Sequence, residues 1–416
     1  MLLRAGVLLV LLSSSLGAAE ITVPAKPGAL KAAVGRAADG DVLRLAPGTH
    51  FGPITIRHRI VLEGDGAVVD GRETGSVITV EVPDVIVRGL TIRGSGSSHE
   101  TRDAGVRLGK KATRARVENN RLVGNLYGVD VHGTHDALVT GNVIEGRRDH
   151  RVNDRGNGVY VWNAPGSAVE GNDIRWGRDG IFVNTSRRNT FRGNRFRDLR
   201  FAVHYMYAND SEVSGNLSVG NDLGYAVMYS KKVRVIGNVS INDREHGVML
   251  NYTNQSVVQG NLVQDGGNRC TFLYNAHKNR IEGNRFERCD IGIHFTAGSE
   301  RNRITGNAFV GNRTQVKYVG SRWLDWSVDG RGNYWSDFAA YDIDGDGIAD
   351  ATYRPNDSMD HVLWSQPAAK LLLGSPAVQL MRWAQSEFPA LLPGGVIDRH
   401  PLMQPAEIPA TGWEGS

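Results

Sequence analysis

The chain has 416 residues, a formal net charge of +4, 51 glycines, 12 tyrosines and only two cysteines. So small a charge gives no electrostatic case for a nucleic-acid partner, and two cysteines cannot make a disulfide scaffold, so the fold must rest on its core. Glycine-rich composition without long apolar runs suits many short strands joined by tight turns. At the N-terminus, Met1 to Arg4 are positively charged, Ala5 to Leu12 nearly all apolar, and Gly17, Ala18 and Ala19 small. This is the pattern of a cleavable export signal over 1–19. No later stretch has the roughly 18–20 apolar residues of a membrane span, so the mature chain is expected to be soluble outside the cytoplasm.

From Glu20 onward the chain reads as coils. Weak repeats run through Ile60 to Gly64 and Val85 to Ile92, with Leu30 to Leu45 expected to cap the open end. Gly-Asn pairs then end at Asn142, Asn172, Asn194, Asn216, Asn238, Asn261, Asn284 and Asn307, preceded by a related Asn119-Asn120. Most intervals are 22 or 23 residues; the 30-residue step from Asn142 to Asn172 implies an eight-residue loop within 145–157. A period this short and regular marks a solenoid in which each coil buries its apolar edge on its neighbours. The expected fold is an all-β, right-handed, single-stranded parallel β-helix of about a dozen coils over 20–335. Each repeat shows two alternating segments, such as Ala168 to Ile174 and Gly180 to Val183. The asparagines are read as scaffold, adopting left-handed geometry and stacking as a hydrogen-bonded ladder inside a turn.

Counting ten and twelve residues from each coil's asparagine, with a one-residue shift at Met249, gives two outward columns. The first is Asp130, Tyr160, Phe182, His204, Ala226, Met249, Thr271, His294 and Lys317; the second is His132, Trp162, Asn184, Met206, Met228, Asn251, Leu273 and Thr296. Beyond the signal only six methionines remain, and three, Met206, Met228 and Met249, fall together on this face beside His204. Thioether and imidazole suit soft copper, Cu(I) above all. The plain alternative is an apolar stripe packed under a loop or a partner. Asp130 and His132, with His246 and His294, are secondary copper candidates; Asp130 and His132 with Tyr160 and Trp162 also fit an aromatic platform for sugar. His150 is read as a surface residue of the inserted loop. Cys270 and Cys289 fall out of register by about two residues, which argues against an easy disulfide.

Asp342, Asp344, Asp346 and Asp350, with Gly345 and Gly347, match the first part of an EF-hand-like Ca2+ loop, although Tyr353 stands where the final Glu belongs. This loop, 336–356, is expected to fix the end cap. The remainder, 357–416, has lost the repeat. Ser375-Pro376 begins a helix carrying Ala377, Leu380, Met381, Trp383 and Ala384, and Leu371 to Leu373, Phe388, Leu391 and Leu392 add apolar surface suited to docking a partner.

The Gly-Asn coils, the segment Gly332-Asn333-Tyr334-Trp335-Ser336-Asp337 and the Asp342–Asp350 loop together resemble the NosD family over nearly the whole mature chain. The coil repeat alone is shared with many sugar-binding domains; the Asn-Tyr-Trp-Ser-Asp segment is the specific part. The resemblance implies a periplasmic, non-enzymatic accessory protein for copper-centre assembly in nitrous oxide reductase. Its partners would be the membrane and ATPase subunits of an ABC transporter, a copper-chaperone lipoprotein and the reductase. The competing class is a carbohydrate-active β-helix: a lyase, epimerase or hydrolase. Such an enzyme needs carboxylates, or a carboxylate with Arg or Lys, over one groove. The columns offer only Asp130, with Asp103, Asp149 and Asp154 in loops that reach toward it.

Overall fold

The computed structural model describes residues 18–148, 151–296, 298–320, 322–372, 374–388, 394–405 and 407–408. All but the last two residues of the expected export signal lie outside this set, as do Asp149 and His150 of the inserted loop and Leu373, Leu391 and Leu392 of the tail. From Glu20–Val23 to Tyr334–Trp335 the chain is a right-handed parallel β-helix of about 14 turns. Three sheets of 13, 12 and 13 strands run its length, and within each one neighbouring strands come from successive coils.

Each coil therefore carries three strands, where the alternation of the sequence suggests two. The segment around Asn172 shows why: it is two strands, Ala168–Glu170 and Asp173–Arg175, with the Gly-Asn pair between them. Gly171 has φ of 62°, which turns the chain through a corner. Here the asparagine expectation is corrected. The left-handed residue is the glycine at every pair from Gly141 to Gly306, because the missing Cβ makes that geometry cheap. Asn119, with φ of 55°, takes the glycine's place only where the pair reads Asn-Asn.

The second residue of the pair makes the ladder. From Asn120 through Asn307, each buried Nδ2 donates to Oδ1 of the next coil's asparagine at 2.8–3.0 Å. The same Oδ1 also accepts a backbone N–H from the coil before, as Asn238 Oδ1 does from Asn216. The remaining amide hydrogen reaches back to a strand carbonyl, as from Asn216 to Phe191. Inside, alternate residues supply Val, Ile and Phe, with Phe191, Phe196, Phe286 and Phe309 fully buried. Tyr205 and Tyr225 also point in, and each keeps its hydroxyl bonded to a backbone carbonyl.

Both ends of this core are covered. At the start, Leu30, Ala33 and Val34 of helix α1 (Ala29–Arg36) are buried. At the far end Gly395–Ile397 pairs with Trp323–Asp325 and delivers Asp398, fully buried, to the last rung. Asp398 Oδ2 accepts from the Asn333 backbone at 2.7 Å and from Trp335 Nε1 at 2.8 Å. Beyond the coils stand two further helices, α2 (Ser358–Ser365), capped by Asp357, and α3 (Pro376–Glu387), capped by Ser375 as its sequence predicts.

The cysteine expectation is overturned: Cys270 and Cys289 form a disulfide, with Cα atoms 5.6 Å apart. Strand spacing misled because only Cys270 is on a strand, Arg269–Tyr274; Cys289 lies in the corner after Arg285–Glu287, and both are buried in the core. Two column members also change. Phe272 and Tyr274, not Thr271 and Leu273, are in register with Met249 and Asn251. The coils after Asn238 and Asn261 carry their extra residue in the corner before the strand, so the shift allowed once was needed twice. Thr271 and Leu273 point into the core.

A second file of polar residues runs up another corner. There Asp243 Oδ1 accepts from the Asn221 backbone at 2.8 Å, and Oδ2 accepts from the Ser218 and Ser240 hydroxyls at 2.6 Å. Burial pushes its pKa up to about 6, against the pull of those hydrogen bonds. A carboxyl raised in the folded state favours the fold below the unfolded value near ~4, and that advantage is lost as pH rises through about 6. Asp243→Asn, the residue already present one coil earlier at Asn221, should therefore stabilise the protein at pH 7 by about 1–3 kcal/mol. Thermal melts of both proteins should converge as the pH is taken toward ~4.

Candidate metal centre

The site lies on the 12-stranded sheet, where alternation turns Tyr205 inward and its neighbours His204 and Met206 outward. Strand register then assembles the cluster. Met206 pairs with Met228 on the next strand, while His204 pairs with Ala226, and Ala226 with Met249. Ala226, between His204 and Met249 in register, is fully buried although it belongs to the outward column, so larger side chains close over it. The three methionines are half-buried and His204 is buried.

One residue that sequence reasoning missed organises the site. Asp179, fully buried at the start of Asp179–Asn184, lies 3.3 Å from His204 Nδ1. Arg200 grips the same carboxylate with two bonds of 2.8 Å, and Arg178 Nε stands 3.6 Å away. Burial works against ionising Asp179, but the His204 and Arg200 hydrogen bonds and the arginine charges outweigh it, so its pKa lies below the usual carboxylate range. In the neutral ring, a carboxylate on Nδ1 selects the tautomer protonated there, which puts the lone pair on Nε2. That Nε2 is buried without a hydrogen-bond partner. The imidazole plane is held by Phe182 and Phe201, with ring centroids 4.7 and 4.5 Å away. A histidine held through Nδ1 by a carboxylate, on the same face as three thioethers, offers the ligand types that suit a soft cation. Nothing in the sequence marks Asp179, since Asp-Gly before a strand reads as an ordinary turn.

The secondary candidates fall into two other groups. Asp130 is fully buried, 3.6 Å from Arg102 Nε, 3.7 Å from Arg107 Nε and 3.9 Å from His132 Nδ1. Burial, opposed by the two arginines, pushes its pKa up to about 6. His132 stacks on Trp162 at 4.3 Å, and burial with the charges of Arg102, Arg107 and Lys110 brings it down to about 4. His246 and His294 gather around Arg269 instead. Arg269 Nε donates to His294 Nδ1 at 2.8 Å, and Nη1 lies 3.4 Å from His246 Nε2. Burial and that guanidinium hold His246 at about 4 and His294 at about 3.

Of the loop carboxylates near Asp130, Asp103 is spent on the Ser98 backbone and the Thr101 hydroxyl, while Asp154 gives its backbone carbonyl to His99. In the acidic loop, one carboxylate oxygen each of Asp342, Asp344 and Asp346 fall within 4.8 Å of one another. Asp350 is turned to the Ile343 backbone, at 2.6 Å.

A family model described as "Periplasmic copper-binding protein (NosD)" matches residues 140–340. A relative from Stutzerimonas stutzeri, "Probable ABC transporter binding protein NosD", is 42% identical over 376 residues, 87% of this chain and 86% of its own length. The protein of the same description from Pseudomonas aeruginosa is 42% identical over 388 residues, 89% of this chain and 91% of its own. The chain belongs to the NosD family. Both NosD relatives are matched over the coils and well beyond the family model's span. Solved structures add the fold alone. A family 28 exopolygalacturonase from Yersinia enterocolitica aligns with TM-score 0.56 at 10% identity, over 72% of this chain and 76% of that one. A PL6 alginate lyase in complex with a trisaccharide aligns with TM-score 0.54 at 13% identity, over 75% and 90%.

Proposed function

We propose that this NosD-family protein receives Cu(I) at His204, Met206, Met228 and Met249 and passes it on during copper-centre assembly in nitrous oxide reductase. It would do so with a copper-chaperone lipoprotein and the membrane and ATPase subunits of an ABC transporter, after export by the signal over 1–19. The observation that carries this is the buried, unpartnered Nε2 of His204, whose Nδ1 is held by Asp179, on a face where strand register gathers three methionines. Copper is the cargo, and the half-buried thioethers leave it reachable by a partner. A non-enzymatic role fits the relatives, which are described as transporter binding proteins.

The tail supplies a docking face. Leu371 is 91% exposed, Leu380 64% and Phe388 61%, while Arg382 of α3 is tied to Asp357 at 2.9 Å. The transporter's membrane subunits are the partner we assign to it. The acidic loop is assigned to Ca2+, held by Asp342, Asp344 and Asp346, as a brace for the end cap.

Competition against a Cu(I) chelator tests the central reading. Met206→Leu/Met228→Leu/Met249→Leu should weaken Cu(I) binding by at least about 100-fold, and Asp179→Asn by roughly 10- to 100-fold; unchanged affinity in the triple variant refutes the ligand set. For the tail, Leu371→Ser/Leu380→Ser/Phe388→Ser keeps Asp398 in place and should abolish co-purification with the transporter, whereas undiminished recovery removes the tail from the interface. Melting temperature measured with Ca2+ and with excess chelator should fall on chelation; identical melts mean a plain turn.

A further inference from the structure

Immediately beside the methionines runs a stack of exposed tyrosines. Tyr207 follows Met206, Tyr229 follows Met228, and Tyr252 follows Asn251, which is in register with Met228. Successive ring centroids are 5.3 and 5.1 Å apart with planes at 23° and 6°, and Tyr274 closes the row edge-on at 5.8 Å. All four are more than 40% exposed. Stacking rings against one another hides little of them from water, so the row is not there to complete the core.

The backbone makes the choice of residue informative. Tyr207, Tyr229 and Tyr252 have φ of 53°, 49° and 48°. The equivalent corner in neighbouring coils is Asn163, Thr185 and Asn275, at 45°, 52° and 45°. Asparagine tolerates that conformation, and a bulky ring in it is strained. Three consecutive coils thus place a tyrosine where the fold favours asparagine. Strain kept in an exposed row points to an interaction outside the chain. Tyrosine is also the side chain that gives large contact area at low entropy cost in interfaces.

The charge around the row names the partner's chemistry. The next turns carry Arg187, Arg188, Lys231, Lys232 and Lys278, all exposed, against the carboxylates of Asp210 and, stacked beyond Lys278, Glu300, which pairs with Arg322. None of the five cations makes an ion pair among the described residues. Because Tyr207 and Tyr229 rim the methionines, a protein that exchanges copper there must lie across them.

We infer that Tyr207, Tyr229, Tyr252 and Tyr274, with the basic turns behind them, form the docking surface for a copper-carrying protein domain whose contact rim is acidic. This rests on the copper reading above for the identity of the cargo, but the docking surface is tested separately. The variant is Tyr207→Asn/Tyr229→Asn/Tyr252→Asn in the full mature chain, which installs the residue the fold already uses at this corner. The probe is the purified soluble domain of the copper-chaperone lipoprotein from the same organism, apo and Cu(I)-loaded. Calorimetry should show apo-domain binding weakened at least tenfold, with Cu(I) affinity in chelator competition changed less than twofold. Lys231→Glu/Lys232→Glu should weaken binding comparably and flatten its salt dependence. Unchanged domain binding in the tyrosine variant overturns the proposal, and so does loss of Cu(I) affinity, which would make the ring stack part of the metal site. If the wild-type chain binds the domain through the tyrosines yet holds no Cu(I), the copper reading fails and the docking surface stands.

Discussion

From Asn120 to Asn333, each coil of this protein is tied to the next by a buried amide shut off from water. An asparagine inside a solenoid corner, cut off from water, must find its partners in the protein or leave polar atoms orphaned at a cost of about 1–3 kcal/mol each. Here Nδ2 reaches strand carbonyls, one in the coil before and in several rungs a second two residues back, and the Oδ1 one coil further on. The ladder therefore permits one register, and a slip of one residue would break it and turn every strand inside out.

The proposed metal centre depends on that register. No two of its four proposed ligands are closer than two residues in sequence, and only His204 and Met206 share a strand. What brings the others alongside is the fixed stagger of three coils. Asp179, on the adjacent strand one coil before His204, meets the imidazole for the same reason. The site needs no loop to hold it, and the rigid sheet below gives its histidine a single orientation.

Much of this was legible because the repeat is exact where the amides are. The asparagine spacing yielded the solenoid, its inside and outside, and the neighbourhood of His204, Met206, Met228 and Met249. What it did not yield lay in corners, where spacing is elastic. An extra residue before His246–Asn251 and again before Arg269–Tyr274 displaced Phe272 and Tyr274 from the count, and the same elasticity hid the Cys270–Cys289 bond. The third strand of each coil was hidden by its own brevity, since three residues on either side of a Gly-Asn bend read as one segment. Asp179 and the tyrosine row escaped because neither carries a pattern of its own: their meaning comes only from what the neighbouring coils place opposite them.

The last rung of the ladder is closed by a residue 65 positions later in the chain, when Asp398 accepts the Asn333 backbone. Ribosomes deliver a protein from its N-terminus, so coils can stack as they appear, each one a template for the next, while the open end stays raw and adhesive. Asp398 arrives only after the last coil and a further stretch of chain have been made. The stack is thus sealed from well beyond the coils, and a molecule cut before Asp398 by a protease or a premature stop would present an unfinished edge to every strand around it.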